Sequence, residues 1–172
     1  MATNTKELLL ESNRLNENIP SSWELVELGD VCSILTGFPF ESKFFNDEKG
    51  LPIIRIRDIK NTSTKKKYDG KFDKKFLIHN NDFLIGMDGD FNCVKWRGSQ
   101  GLLNQRICKV EVNPEFLNPN LFFYGINRHL QAIHTGTSSQ TVTHLSHLTI
   151  NAIQFPLPPL NEQKRIVSKI EE

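Results

Sequence analysis

Between Gly86 and Arg106 the chain gathers Asp88, Gly89, Asp90, Asn92, Lys95, Arg97, Ser99, Gln100, Asn104, Gln105 and Arg106. Arg and Lys can donate to guanine O6 and N7, and Asn and Gln can pair with the adenine edge, so these are the side chains that direct reading of DNA requires. The interspersed glycines permit tight turns. A second polar run, from Thr135 to Thr143, holds Gly136, Ser138, Ser139 and Gln140 and suits phosphate or base contacts made from a loop. The competing reading of both runs is a pair of ordinary turn-rich surface loops.

Two kinds of catalysis also have residues on offer. Asp30 with Glu41 and Lys43 has the composition of a metal-dependent nuclease, in which carboxylates hold an ion and activate water for attack on a phosphodiester. That reading requires the three to converge on one point, although Glu41 and Lys43 lie beside Phe40 and Phe44 in a loop-like stretch. His129, His134, His144 and His147 offer imidazole nitrogens for zinc, but no Cys or carboxylate lies close in sequence to complete a set. Phosphate-loop, dinucleotide-turn and nucleophile-elbow patterns are all missing from the sequence. So is a methyltransferase's glycine-rich cofactor loop with its Pro-Pro-aromatic motif, for which Asn118-Pro119-Asn120 does not qualify.

Charge distribution bears on which reading holds. The formal net charge is only +1, yet eleven basic residues face five acidic ones from Lys43 to Lys75, so that stretch is +6 and the remainder −5. Arg57 and the triplet Lys65, Lys66 and Lys67 lie within it. A concentrated basic stretch in a nearly neutral chain suits a protein that holds phosphates on one face without adhering to every polyanion. A solvated lysine-rich loop with no partner gives the same composition. The three cysteines, Cys32, Cys93 and Cys108, are too scattered for a disulfide framework or a zinc knuckle, which points to reduced thiols in a cytoplasmic protein. The run Leu8 to Leu10 is flanked by Glu7 and Glu11, and no apolar stretch is long enough to span a membrane.

These side chains must be positioned by one sizeable core, which 172 residues with 38% hydrophobic content can bury. Residues 1–18 read as a polar leader, either a short helix or an unordered run. A strand from Trp23 leads into a helical turn closed by Gly37, and further strand patterns lie at Leu51 to Ile56, Phe76 to Ile78, Asp82 to Gly86, Cys93 to Trp96 and Arg106 to Val112. Asn118 and Pro119 start a helix that continues through Leu121, Phe122, Ile126, Leu130 and Ile133. A short helix follows Thr143, Ile150 to Leu157 reads as a closing strand, and a last helix capped by Asn161 carries Ile166, Val167 and Ile170 on one side.

The order of short motifs resembles a known family. Ile19-Pro20-Ser21-Ser22-Trp23, then Leu28-Gly29-Asp30-Val31, resembles the opening of the recognition domains of type I restriction enzyme specificity subunits. Thr36-Gly37-Phe38-Pro39-Phe40 leading to Gly50-Leu51-Pro52-Ile53-Ile54-Arg55-Ile56-Arg57-Asp58-Ile59 continues it, as do Asn81 to Ile85 and Gly136-Thr137-Ser138 before Leu145. Phe155 to Val167 is similar to the family's junction into its conserved helix. The resemblance implies an α+β domain of the DNA-methylase specificity type, with a curved, mostly antiparallel sheet, packed helices and a protruding C-terminal helix. Residues 19–158 would form the recognition domain and 159–172 the start of the spacer helix, with Ile166, Val167 and Ile170 facing a partner.

The same resemblance implies a non-catalytic subunit that reads one half of a bipartite site on double-stranded DNA. Methyltransferase and restriction subunits would be its partners, and a second recognition domain or a homodimer would supply the other half. This chain would carry no cofactor of its own, since S-adenosylmethionine, ATP and magnesium would sit on the partner subunits. On this reading Arg57, Lys65, Lys66, Lys67, Lys95, Arg97, Asn104, Gln105, Arg106, Ser138, Ser139 and Gln140 are the candidate DNA contacts. The alternatives are a small nuclease using Asp30, Glu41 and Lys43, and a protein-interaction module whose basic face is incidental.

Overall fold

Alternation along the strand Ile107–Val112 organises the molecule. Ile107 is buried on one side, while Cys108 and Val110 are buried on the other, so this strand is covered on both faces. A two-residue repeat makes successive side chains point oppositely, and a sheet apolar on both faces must be sandwiched. The computed structural model describes residues 5–61, 63–135 and 144–172. Along the chain come α1 (Thr5–Leu8), α2 (Leu10–Arg14), β1 (Glu24–Glu27), α3 (Leu28–Val31), β2 (Cys32–Thr36), β3 (Phe45–Asn46), β4 (Leu51–Ile54) and β5 (Lys67–Tyr68). There follow β6 (Leu77–Ile78), β7 (Phe83–Gly86), β8 (Cys93–Lys95), β9 (Gly101–Leu103), β10 (Ile107–Val112), α4 (Pro119–Thr135), α5 (His147–Asn151), β11 (Gln154–Leu157) and α6 (Leu160–Glu171).

The architecture is α+β and mostly antiparallel, and among the described residues the strands form three sheets where one curved sheet was expected. The central sheet has the order β2-β10-β7-β8, the second β3-β5-β4-β9-β6, and β1 pairs with β11. Only β4 with β9 runs parallel among the named strands. Helices cover one face of the central sheet. There Phe83, Ile85, Cys93, Cys108 and Val110 meet Leu28, Phe122, Ile126, Leu130 and Ile150. The opposite face supplies Leu84 and Ile107 to a second core, with Ile53, Ile54, Trp96, Leu102 and Leu103. Each such side chain removed from water contributes about 1.5–3 kcal/mol.

Close backbone approach joins the two sheets. A Cβ on Gly37 would lie 2.0 Å from the Asn104 carbonyl oxygen, so no larger residue fits where β2 leaves the central sheet and passes β9. Strand Cys32–Thr36, which had been expected as part of a helical turn, follows the single turn of α3 and pairs with β10. Burial pushes the Cys32 and Cys108 thiols up to about 12 and Cys93 well above the ordinary thiol value, which leaves all three as unreactive apolar groups.

The amino-terminal segment packs into the core. Leu8 and Leu9 are buried against the helical layer while Leu10 is exposed. Ser12 is fully buried with its hydroxyl 2.9 Å from His129 Nδ1, and Asn16 Nδ2 donates to the Gln154 carbonyl at 2.8 Å. At the other end α6 begins at Leu160, one residue before the expected cap, and no side chain caps it. Gln163 anchors it instead: buried, it donates to the Phe116 and Pro158 carbonyls and accepts from the Asn118 N–H. Val167 is buried against the body, Ile166 is half-buried and Ile170 is exposed.

His129 makes the fold sensitive to acid. Burial, aided by the nearby Arg128 charge, lowers its pKa from 6.5 to about 4, so the folded protein binds fewer protons than the unfolded chain between those values. Stability therefore falls as pH drops from about 6.5 to 4, by on the order of 3 kcal/mol from this group. Denaturant midpoints across that range should slope less steeply in His129→Gln than in the wild type, and parallel slopes would show that His129 is not buried neutral.

Candidate nucleic-acid interface

Strand direction brings distant loops to one end of the domain. Parallel pairing of Ile53 with Leu102 and Ile54 with Leu103 makes β4 and β9 finish side by side, so the turn after Ile54 lies next to Asn104, Gln105 and Arg106. Antiparallel pairing of Ile107 with Gly86 places the β7–β8 turn, Met87 to Asn92, at that same end. The carboxyl end of α4 arrives there too, because Gln131 donates to the Phe91 carbonyl at 2.9 Å. His144, where the described chain resumes after α4, bridges to Asp88.

The turn after β4 is held by an internal ion pair. Asp58, largely buried, accepts from the Arg55 backbone N–H at 3.1 Å and from Arg55 Nε at 2.9 Å. Arg55 is thereby committed to the fold, while Arg57 and Lys60 remain exposed on the turn. Arg55 Nη2 also reaches Thr64 Oγ1 at 3.5 Å, which draws the start of the lysine triplet to this end. Lys65 is exposed, Lys66 pairs with Asp47 at 2.7 Å and Lys67 Nζ donates to the Glu48 carbonyl at 3.0 Å. The Lys66 hydrogen bond holds Asp47 below the usual carboxylate range.

A family model described as the type I restriction modification DNA specificity domain matches residues 20–172. The chain belongs to this family. It is 40% identical over 168 residues to the EcoBI specificity subunit of Escherichia coli, an alignment covering 97% of the chain and 35% of that relative. It is 22% identical over 154 residues to the MjaVIII specificity subunit of Methanocaldococcus jannaschii, covering 90% of the chain and 36% of the relative. The specificity domain thus spans about a third of the length of these relatives. An HsdS subunit structure from Thermoanaerobacter tengcongensis shares the fold, with a TM-score of 0.68 at 21% identity, over 97% of this chain and 43% of that one. A type I restriction and modification system structure gives a TM-score of 0.69, also at 21% identity, over 97% of this chain and 44% of that one.

The specificity domain brings together some of the expected DNA contacts and separates others. Arg57, Lys65, Gln105 and Arg106 are exposed at the loop end, joined by Lys60, which only the charge count had signalled. Asn104 is buried where it bridges Phe38 and supports the loop without facing outward. Arg97 lies at the opposite end of β7 and β8, donating to Asn81 Oδ1 at 2.7 Å, and Gln100 bonds His79 there at 2.8 Å. The segment Gly86–Arg106 is therefore divided, because β8 carries the chain the length of the sheet between its two polar turns. Lys95 turns toward the helices, with Nζ 3.5 Å from Asn120 Oδ1 and above the Phe83 ring. Ser138, Ser139 and Gln140 lie outside the described residues.

The catalytic alternatives find no assembled site. Asp30 sits on α3 in the helical layer, whereas Glu41 and Lys43 pair with each other at the entrance to the second sheet. His129 is bound to Ser12, His134 packs edge-on against Phe91 and His144 faces Asp88. Among the described residues no three His, Cys, Asp or Glu side chains are grouped to hold an ion. Also among them, no helix is long and apolar enough to cross a membrane.

Because Asp58 accepts from three Arg55 donors in a largely buried position, Asp58→Ala should cost about 2–3 kcal/mol of stability. Chemical denaturation checks this: a loss below ~0.5 kcal/mol would mean that the Arg57 turn is held by something else.

Proposed function

We propose that this chain reads one half of a bipartite site on double-stranded DNA as the recognition domain of a type I specificity subunit. The observation that carries this is the convergence of Arg57, Lys60, Lys65, Gln105 and Arg106, exposed on separate loops, at one end of two packed sheets. Basic residues on the turn after β4 and the lysine run hold phosphates, and Gln105 and Arg106 supply the forked or bidentate donors that base edges require. Rigid strands behind the loops fix their register on the duplex. The names of the relatives support the same reading.

In this scheme chemistry belongs to partner subunits: a methyltransferase using S-adenosylmethionine, and a restriction subunit using ATP and magnesium. The chain works with them in the cytoplasm. Helix α6 starts the spacer, where a rise of about 1.5 Å per residue sets the distance to a second recognition domain. Its exposed Ile170 and half-buried Ile166 lie on the surface available to a partner helix.

Binding to duplex DNA should fall steeply with salt, by roughly a thousandfold between low and moderate salt if about six phosphates are contacted. Replacing Lys65, Lys66 and Lys67 with Ala should weaken binding to every sequence and flatten that slope. Gln105→Ala should instead cost about 1–3 kcal/mol on a selected duplex and little on a scrambled one. Fluorescence anisotropy on both duplexes measures this, and a salt-independent affinity would contradict the phosphate assignment.

A further inference from the structure

Asp88 is an acid on a surface that, by the reading above, faces phosphates. Such a charge opposes binding unless it does something else there. Its Oδ1 accepts from Arg106 Nη1 at 3.2 Å and lies 2.7 Å from His144 Nδ1. Arg106 Nη1 is also 3.4 Å from His144 Nδ1, but that nitrogen cannot accept while carrying a proton. The shorter contact, to a carboxylate, places the proton on Nδ1, so Arg106 and His144 both donate to Asp88.

The backbone repeats the junction. Met87 N–H donates to the Arg106 carbonyl at 2.9 Å, and Leu145 N–H donates to the Met87 carbonyl at 2.7 Å. Arg106 itself has φ 71°, a left-handed conformation that side chains rarely adopt and that persists where surroundings impose it. Three segments far apart in sequence thus meet at Asp88, and the strained residue among them carries an arginine side chain that is 55% exposed. A guanidinium has five N–H donors in a rigid fork, and the bond to Asp88 engages Nη1 while leaving donors for a further acceptor pair.

We propose that Asp88 is a positioning residue for base reading: it fixes the Arg106 fork against the chain entering Leu145, so that the remaining donors meet the O6 and N7 edge of a guanine. This rests on the DNA-recognition reading above and names the base type and the two residues concerned. His144 completes the clasp by donating to the same carboxylate oxygen, beside Arg106.

The test is selection of duplexes from a randomised pool by the 172-residue chain and by its variants. The wild type should enrich a motif containing a required guanine. Arg106→Ala and Asp88→Asn should lose preference at that same position and keep the others. Arg106→Lys, which keeps the charge but not the fork, should lose the same position, and Asp88→Glu should retain part of it. A motif unchanged in Asp88→Asn would overturn the positioning role, as would loss of every position together, which marks a general structural defect. A wild type that enriches no motif would instead overturn the DNA-reading function on which the proposal rests.

Discussion

The antiparallel pairing of β10 with β7 and β2 is the constraint on which the rest depends. It buries a sheet on both faces, which forces a helical layer on one side and a second sheet on the other. It also sets direction: with Ile107 opposite Gly86, the turn after β7 and the residues before β10 must share an end. A slip of one residue would send Cys108 and Val110 to the wrong core and move Arg106 away from Asp88. Core packing and placement of the candidate DNA-facing loops are therefore one problem with one solution.

Charge at that end is offset in part by local ion pairs. Asp58 neutralises Arg55 inside the fold, Asp47 pairs with Lys66 and Asp88 with Arg106. Acids beside several of the cations lower non-specific attraction to polyanions, while the remaining basic excess still favours phosphates. The near-zero net charge and the local basic stretch thus fit a reader of sequence better than a general DNA-coating protein.

Much of the fold was legible in the sequence because its elements carry strong local signals. Phe83–Gly86, Cys93–Lys95 and Ile107–Val112 stand out as apolar runs bounded by turns, and Asn118 caps α4 by accepting from the Asn120 and Leu121 N–H groups. Leu51–Ile54 ends earlier than its apolar run suggests, since Asp58 captures the Arg55 N–H and bends the chain. Residues 5–16 read as a polar leader because their burial depends on Ser12 meeting His129 and Asn16 meeting Gln154, partners more than a hundred positions away. The candidate site was legible in residue type but not in grouping. Arg97 and Arg106 look equivalent in sequence, and only the course of β8 and β9 puts them at opposite ends.

The central claim is that the loop end formed by the turns after β4, β7 and β9 lies on DNA. Lysine-modification and hydrogen-exchange footprinting of the chain, free and saturated with duplex at low salt, tests it directly. The account predicts protection at Lys60, Lys65 and the backbone amides of residues 87–90 and 104–106, with Lys164 and Lys169 on α6 unchanged. Protection confined to α6, or to the end holding His79, Asn81 and Arg97, would contradict it.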